Sequence, residues 1–343
     1  MPIEKNPLSC QFNDTSPMGD DVETALVDFS VPRATRLAGC VAMVVAVLLF
    51  TGSAALAAGK GGNKGPDHTA LQARPMMLGV SGSGIEFLDV DGASYCYSGT
   101  LGSLVQDDNG NQFILSNNHV LARENQASAG EATIQPGLLD ENGDPNSCSP
   151  SGTDYTPYIV GALADFVPLA FDGSDNLVDA AVASVATGCS TSTGDCVDPD
   201  GQILEIGGLS GNTFDVDTAP DPFIAVQKSG RTTALTTGVI GAVGVDVSVT
   251  YDFGTAHFTD QILVSGDKGA FLKAGDSGSL LVTRPTDGSL PDAVGLLFAG
   301  SASGIAIANR VQNVLEPLGL AMVGCSSCST GTGGGGGGIY WRG

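Results

Sequence analysis

Most of the chain is a succession of short apolar stretches bounded by turn residues. Val243, Val245, Val247, Val249 and Tyr251 alternate with small or polar residues, the period of a strand with one buried face. Further strands are predicted at 158–163, 178–185, 203–206, 224–228, 261–264, 279–283, 293–298 and 305–308. Asp107-Asp108-Asn109-Gly110-Asn111 separates two β-like runs, 100–106 and 112–116, and signals a hairpin. One amphipathic helix is predicted near the C-terminal end, where Val311, Val314, Leu315 and Leu318 fall at i, i+3, i+4 and i+7. Many short strands with one late helix predict antiparallel β-barrels or a sandwich. The lack of a fixed-period repeat argues against a propeller or solenoid.

The N-terminal pattern is different. Residues 37–59 carry no charge, with Arg33 and Arg36 before them and Lys60 after. An apolar run over 37–50 precedes small residues ending in Ala54-Ala55-Leu56-Ala57-Ala58. This is the layout of a secretory signal peptide cleaved after Ala57, making the chain secreted or periplasmic. The competing reading keeps 37–58 as a membrane anchor, since about 20 uncharged residues just span a bilayer. The segment before Arg33 is long for a signal peptide, which allows a start at Met18. Leu37-Ala38-Gly39-Cys40 is discounted as a lipoprotein box because it precedes the apolar run. Residues 58–93 read as a linker and N-terminal extension, and residues 324–343 as a Cys pair followed by a flexible glycine-rich tail.

Composition narrows the class. The 343 residues hold 37 Asp+Glu against 14 Lys+Arg, a charge of −23. Removing residues 1–57 takes away six acids and three bases, leaving 31 against 11, or −20. Phosphate backbones and anionic lipid repel such a chain, so no nucleic-acid partner and no stable membrane association after processing are expected. A monomer is expected. Hydrophobic residues at 42% support a core, and 49 glycines fit a turn-rich β protein, not a helical repeat or coiled coil. Six cysteines remain after processing: Cys96, Cys148, Cys189, Cys196, Cys325 and Cys328. An even number in an exported chain suggests three disulfides, although six cysteines allow 15 pairings. Cys189 with Cys196 and Cys325 with Cys328 are the local candidates, leaving Cys96 for Cys148. A redox or zinc role for Cys325 and Cys328 lacks the βαβ context or second ligand pair it needs.

Three histidines are available. His68 lies in the predicted linker, His119 ends a strand at a loop, and His257 sits in an apolar stretch with no chemistry assigned. Lys273-Ala274-Gly275-Asp276-Ser277-Gly278-Ser279 places a serine between glycines. Such a turn can aim adjacent N–H groups at one point, and a serine nucleophile needs a base and donors for the attacked carbonyl oxygen. The plain alternative is one more polar turn.

Together these segments resemble the trypsin-like (chymotrypsin-fold) serine peptidases, in the form of a bacterial-type secreted member. The matching pieces follow the family's order of His, Asp, Ser. They are 98–102 with 113–122, Asp179-Ala180-Ala181-Val182-Ala183, 275–281, 294–300, and 304–308 with the helix after Asn309. The resemblance covers about residues 94–323. It implies two six-stranded antiparallel β-barrels packed together, a C-terminal helix and a triad in the cleft between barrels. It also implies a serine endopeptidase that acts on a protein or peptide substrate through an acyl-enzyme and needs no cofactor or metal. Ser277 would be the nucleophile, His119 the general base and Asp179 its orienter, with the N–H groups of Gly275 and Ser277 as the oxyanion hole. Asp276 would organise the pocket after N-terminal processing. Phe271, Gly300 and Gly304 would bind substrate.

Departures from the family are visible. Asn117-Asn118-His119-Val120 replaces Ala-Ala-His-Cys, and Asp172 and Asp175 are alternatives to Asp179. Phe271 stands where an acid floors the pocket, disfavouring cleavage after Lys or Arg unless Asp267 is recruited. Phe298-Ala299-Gly300 replaces Ser-Trp-Gly. The segment 226–233 resembles stretches in bacterial members. It reads as a tight turn with two solvated bases, or else a substrate contact. The Asp-rich loops at 140–144 and 172–175 lack calcium-loop spacing and read as solvated turns. The rival reading is a catalytically idle, protease-like binding or scaffolding domain of the cell envelope.

Overall fold

The computed structural model describes residues 27–30, 65–91, 93–140, 154–189, 194–219, 223–301, 304–326 and 328. The predicted signal segment, Cys148, most of the 140–144 loop and the glycine tail lie outside the described residues. The fold is all-β, with two strand rings and a short C-terminal helix.

In chain order, β1 (Val27–Ser30) precedes the first ring. That ring is drawn from β2 (Val80–Gly84), β5 (Gly99–Leu101), β6 (Ser103–Gln106), β7 (Gln112–Ser116), β8 (Ala132–Ile134), β9 (Ile159–Phe166) and β11 (Ala181–Val185). A small ribbon of β3 (Leu88–Val90) and β4 (Ala93–Tyr95), the one-turn helix α1 (Asn118–Leu121) and the short β10 (Asp175–Asn176) interrupt it. The second ring holds β12 (Ala225–Gly230), β13 (Ala234–Tyr251), β14 (Gly254–Gly266), β15 (Leu280–Thr283), β16 (Ala293–Gly300) and β17 (Ala306–Arg310). Helix α2 (Val311–Leu318) and β18 (Ala321–Met322) follow.

The strands run β6-β7-β11-β9-β8-β2-β5 in the first sheet, with β18 on the outside of β6. Since β5 and β6 are two halves of one strand bent at Gly102, six strands close the ring. The second sheet runs β13-β12-β15-β16-β17-β14, and β13 pairs again with β14 to close six strands. β1 lies on the outer edge of β13, and β10 lies parallel on β14. Each ring is therefore six-stranded, as the family resemblance implied; β18 adds an edge strand to the first sheet, and β1 and β10 add two to the second.

The predicted helix is α2, whose Val311, Val314 and Leu315 are buried in the core that fills the first ring. Several segments differ from the sequence expectation. Residues 203–206 are a turn, not a strand. Ile203 and Gly207 bridge each other, and Glu205 is left-handed at φ 67°. The strand predicted from 178 begins at Ala181, because residues 177–180 lie outside the ladder and carry Asp179. β13 and β14 are 18 and 13 residues long, far beyond the predicted segments, with bulges after Ile240, Val243 and Val245. The first ring also starts well before residue 94. All five residues of β2 are buried, so this strand has no polar face to alternate with. His68, placed by sequence in a linker, is 3% exposed and sits between the Gly79 carbonyl (2.7 Å) and Glu205 (2.9 Å).

Cys189–Cys196 and Cys325–Cys328 are disulfides, and Cys96 is disulfide-bonded. Among the described residues, no helix is long and apolar enough to cross a membrane.

Candidate active site

The bend at Gly102 brings the first ring against the Ser277 turn. A Cβ at Gly102 would overlap the Gly278 carbonyl oxygen, so the strand passes as closely as backbone allows. Thr100 N–H donates to the Ser277 carbonyl at 2.8 Å, and Thr100 Oγ1 donates to the Gly275 carbonyl at 2.9 Å. The Ser277 turn thus belongs by sequence to the second ring and by contact to both.

His119 follows β7 on α1, with Asn117 at the N-cap. Its Nδ1 lies 2.5 Å from Asp179 Oδ2, and its backbone N–H donates to Asp179 Oδ1 at 3.2 Å. The carboxylate is fully buried while the imidazole is 21% exposed. An acceptor this close holds the proton on Nδ1 and leaves Nε2 as the basic nitrogen. Tyr251, at the end of β13, donates its hydroxyl to Asp179 Oδ2 at 2.8 Å. The Asp179 backbone is pinned by both rings. Asn117 Nδ2 donates to its carbonyl at 2.7 Å, and its N–H donates to Asn309 Oδ1 at 3.0 Å. Asn309 in turn donates to Gln261 at 2.7 Å. The alternatives are elsewhere: Asp172 is exposed and caps Ser174 N–H, and Asp175 is 65% exposed beside His257.

Ser277 lies between left-handed Gly275 (φ 89°) and Gly278 (φ 93°). Its Oγ donates to the Phe298 carbonyl at 3.3 Å. Among the described residues, the N–H groups of Gly275 and Ser277 donate to no protein acceptor.

Asp276 is fully buried beneath this turn. It accepts from Thr232 N–H (2.9 Å), Thr233 N–H (3.0 Å), Thr233 Oγ1 (2.7 Å) and Lys273 N–H (2.9 Å). The Lys228 ammonium, also 0% exposed, completes the site at 3.4 Å and donates to Thr233 Oγ1 and the Ala234 carbonyl. Burial pushes the Lys228 ammonium below the usual lysine range, against the pull of Asp276. Arg231 makes a two-pronged pair with Asp140, at 2.5 and 2.8 Å, whose Oδ2 also accepts from Ser81. The expectation of two solvated bases at 226–233 is therefore corrected: both are buried or nearly so. They face inward because two carboxylates buried near the ring interface need counter-charges. The signal available in the sequence was Asp276 itself, an acid flanked by glycine and serine that has to be neutralised once buried.

Of the predicted substrate contacts, Gly300 and Gly304 lie where segment 270–272 packs. A Cβ at Gly300 would meet Leu272 at 3.0 Å, and one at Gly304 would meet the Ala270 backbone at 2.8 Å. Phe271 is fully buried in the second ring's core, its ring against Gly238, so it is a core residue and not an exposed pocket floor. Asp267, the suggested recruit, is paired with Arg284 at 2.8 Å.

Set against known proteins, residues 206–318 match the family described as the Nal1 C-terminal domain. Protein NARROW LEAF 1 of Oryza sativa subsp. japonica is 33% identical over 78 residues, which are 23% of this chain and 13% of that protein. The chain thus spans a small fraction of the curated relative it matches. Among solved structures, Thermobifida fusca protease A covers 72% of the chain and 98% of its own length, at 16% identity and a TM-score of 0.42. A glutamic acid specific serine protease covers 72% and 100%, at 17% identity and a TM-score of 0.42. Cellulomonas bogoriensis chymotrypsin covers 71% and 98%, at 21% identity and a TM-score of 0.39.

Proposed function

We propose that the protein is a serine endopeptidase. The observation that carries this reading is the buried Asp179 carboxylate 2.5 Å from His119 Nδ1, beside a glycine-flanked serine turn. In the proposed reaction Ser277 Oγ attacks the peptide carbonyl carbon and its proton passes to His119 Nε2. Asp179 stabilises the imidazolium. The carbonyl electrons collect on the oxyanion, which the Gly275 and Ser277 N–H groups bind, each donor contributing about 2.7–4 kcal/mol. Collapse expels the amine, which takes the proton from His119. Water then hydrolyses the acyl-enzyme by the reverse sequence of proton movements. Asp276 has its cation within the chain, in Lys228, so the turn is held without a new N-terminal amine. Export by the N-terminal segment is part of this proposal, supported by the disulfides, which form in oxidising compartments.

Labelling with a fluorophosphonate probe tests the reading. Wild type is expected to label and Ser277→Ala is not. Equal labelling of both, or of neither while the fold is intact, overturns it. The second reading, an idle binding domain, is favoured by one observation: the Ser277 hydroxyl is directed to the Phe298 carbonyl. An unlabelled, folded wild type would select it.

A further inference from the structure

We propose that Tyr251 is a positioning residue of the His119–Asp179 pair, its hydroxyl setting how strongly the carboxylate holds the imidazolium. The inference rests on the serine-peptidase reading above and adds a residue from a part of the chain far from the triad motifs.

Three donors converge on the buried Asp179 carboxylate: His119 Nδ1 at 2.5 Å, His119 N–H at 3.2 Å and Tyr251 Oη at 2.8 Å. Tyr251 and Nδ1 share one oxygen, Oδ2. A second donor there draws off negative charge that would otherwise stabilise the imidazolium. The tyrosine ring also meets His119 edge-on, with centroids 5.8 Å apart, and is backed by Phe171 at 5.8 Å and Phe258 at 6.2 Å. Burial and the adjacent carboxylate hold the phenol well above its usual range, so it stays a donor at every working pH.

The delivery of this hydroxyl is built into the fold. β13 and β14 extend their hairpin until its tip reaches the loop after α1. There the Glu124 carboxylate accepts the N–H groups of Asp252 (3.3 Å) and Phe253 (3.1 Å). Glu124 is the middle of three consecutive left-handed residues, Arg123 (φ 49°), Glu124 (φ 53°) and Asn125 (φ 75°). Left-handed runs of non-glycine residues are unfavourable and persist only where surrounding contacts determine them. Here Arg123 is tied to Glu131 and the Phe87 carbonyl, and Asn125 to Asn118 and the Leu169 carbonyl. The strained turn thus fixes the hairpin tip to the helix that carries His119. The titratable groups facing the imidazole are Asp179 from the segment before β11, Tyr251 from β13 and Glu124 from the loop after α1. Asp252, at the hairpin tip, acts through Glu124.

The test is the pH dependence of fluorophosphonate labelling in the full chain. With the hydroxyl gone, Asp179 holds the imidazolium more strongly. Tyr251→Phe is therefore expected to move the acid-limb midpoint to higher pH by at least about half a unit. Replacing Tyr251 by 3-fluorotyrosine keeps the shape and strengthens the donor, so its midpoint is expected to move down; this arm stands even if Tyr251→Phe folds poorly. A residue that only packs would move neither midpoint. If wild type labels, Ser277→Ala does not, and both Tyr251 variants keep the wild-type midpoint, the inference falls while the peptidase reading survives. If wild type does not label, the His119 ring titration followed by NMR in the same variants decides the inference by the same shifts.

Discussion

Lys228→Met probes what holds the Ser277 turn. Lys228 and Asp276 are both 0% exposed, with Nζ 3.4 Å from Oδ1, and methionine reproduces the stem while removing the charge. Breaking a buried pair by deleting one partner costs about 3–5 kcal/mol, because the surviving charge stays buried without compensation. Asp276 keeps four other donors, from Thr232, Thr233 and Lys273, which argues for the lower end, about 3 kcal/mol. At about 2–4 °C per kcal/mol for a domain of this size, the Tm falls by roughly 6–12 °C. Calorimetry of wild type, Lys228→Met, Asp276→Asn and the double variant forms a cycle. The double variant has no buried charge left to strand, so its loss is expected to fall short of the sum of the single losses by at least about 1 kcal/mol. Labelling of Ser277 is expected to drop in Lys228→Met well below its loss of folded protein, since Asp276 organises the turn. A Tm within about 1 °C of wild type, or single effects that simply add, would refute the claim that this ion pair supports the turn.

Three further outcomes are expected. Burial holds the Glu124 carboxyl above the usual carboxylate range, so the folded chain binds this proton more readily than the unfolded chain. Its contribution is thus largest below the unfolded pKa and is lost as pH rises through the folded one; urea melts of Glu124→Gln from about pH 4 to 7 should lack that slope. Replacing Cys189 and Cys196 by serine opens a loop with a sequence separation of 7 and should cost about 2–3 kcal/mol, read as the shift in urea midpoint. Thr100→Val leaves the Arg231 N–H and the Gly275 carbonyl without their partner hydroxyl; a loss of about 1–3 kcal/mol, with labelling slowed beyond the loss of folded protein, is expected in melts and probe kinetics.

The parts legible in the sequence are those whose meaning is local. Gly275-Asp276-Ser277-Gly278 carries its turn in its own residues, and the α2 stripe needs only a period of 3.6. The roles of residues completed by distant partners were not legible. Lys228 reads as a solvated base until Asp276, 48 positions on, lies over it. Tyr251 reads as the last residue of an alternating strand, because nothing near it in the chain shows that the hairpin ends at Asp179. Strand β2 escaped for another reason: Val80-Ser81-Gly82-Ser83-Gly84 is buried on both faces, so small polar residues stand where a periodic search expects apolar ones. The run at 203–206 misled in the opposite sense. Its apolar residues Ile203 and Leu204 enter or border the core, yet left-handed Glu205 turns the chain back.

The site's geometry is a property of how the rings meet. His119 and Asp179 come from first-ring elements and Ser277 from a turn of the second, so any slip between rings would move Ser277 away from the His119–Asp179 pair. The contacts that oppose such a slip are unusually close backbone approaches. Gly102 abuts Gly278, and a Cβ at Gly99 would lie 3.0 Å from the Ser277 carbonyl oxygen. Polar ties run in both directions across the same seam. Thr100 reaches Gly275 and Ser277, Asn309 holds the Asp179 N–H, Arg231 grips Asp140, and Tyr251 holds the carboxylate itself. The Gly102 contact is backbone on backbone and cannot adjust by rotamer changes, so a side chain added there has to move a whole strand, whereas one added at Gly99 meets the Val120 side chain first. That is why a side chain at Gly102 is expected to shift the Ser277 turn against the first ring, which carries His119 and Asp179.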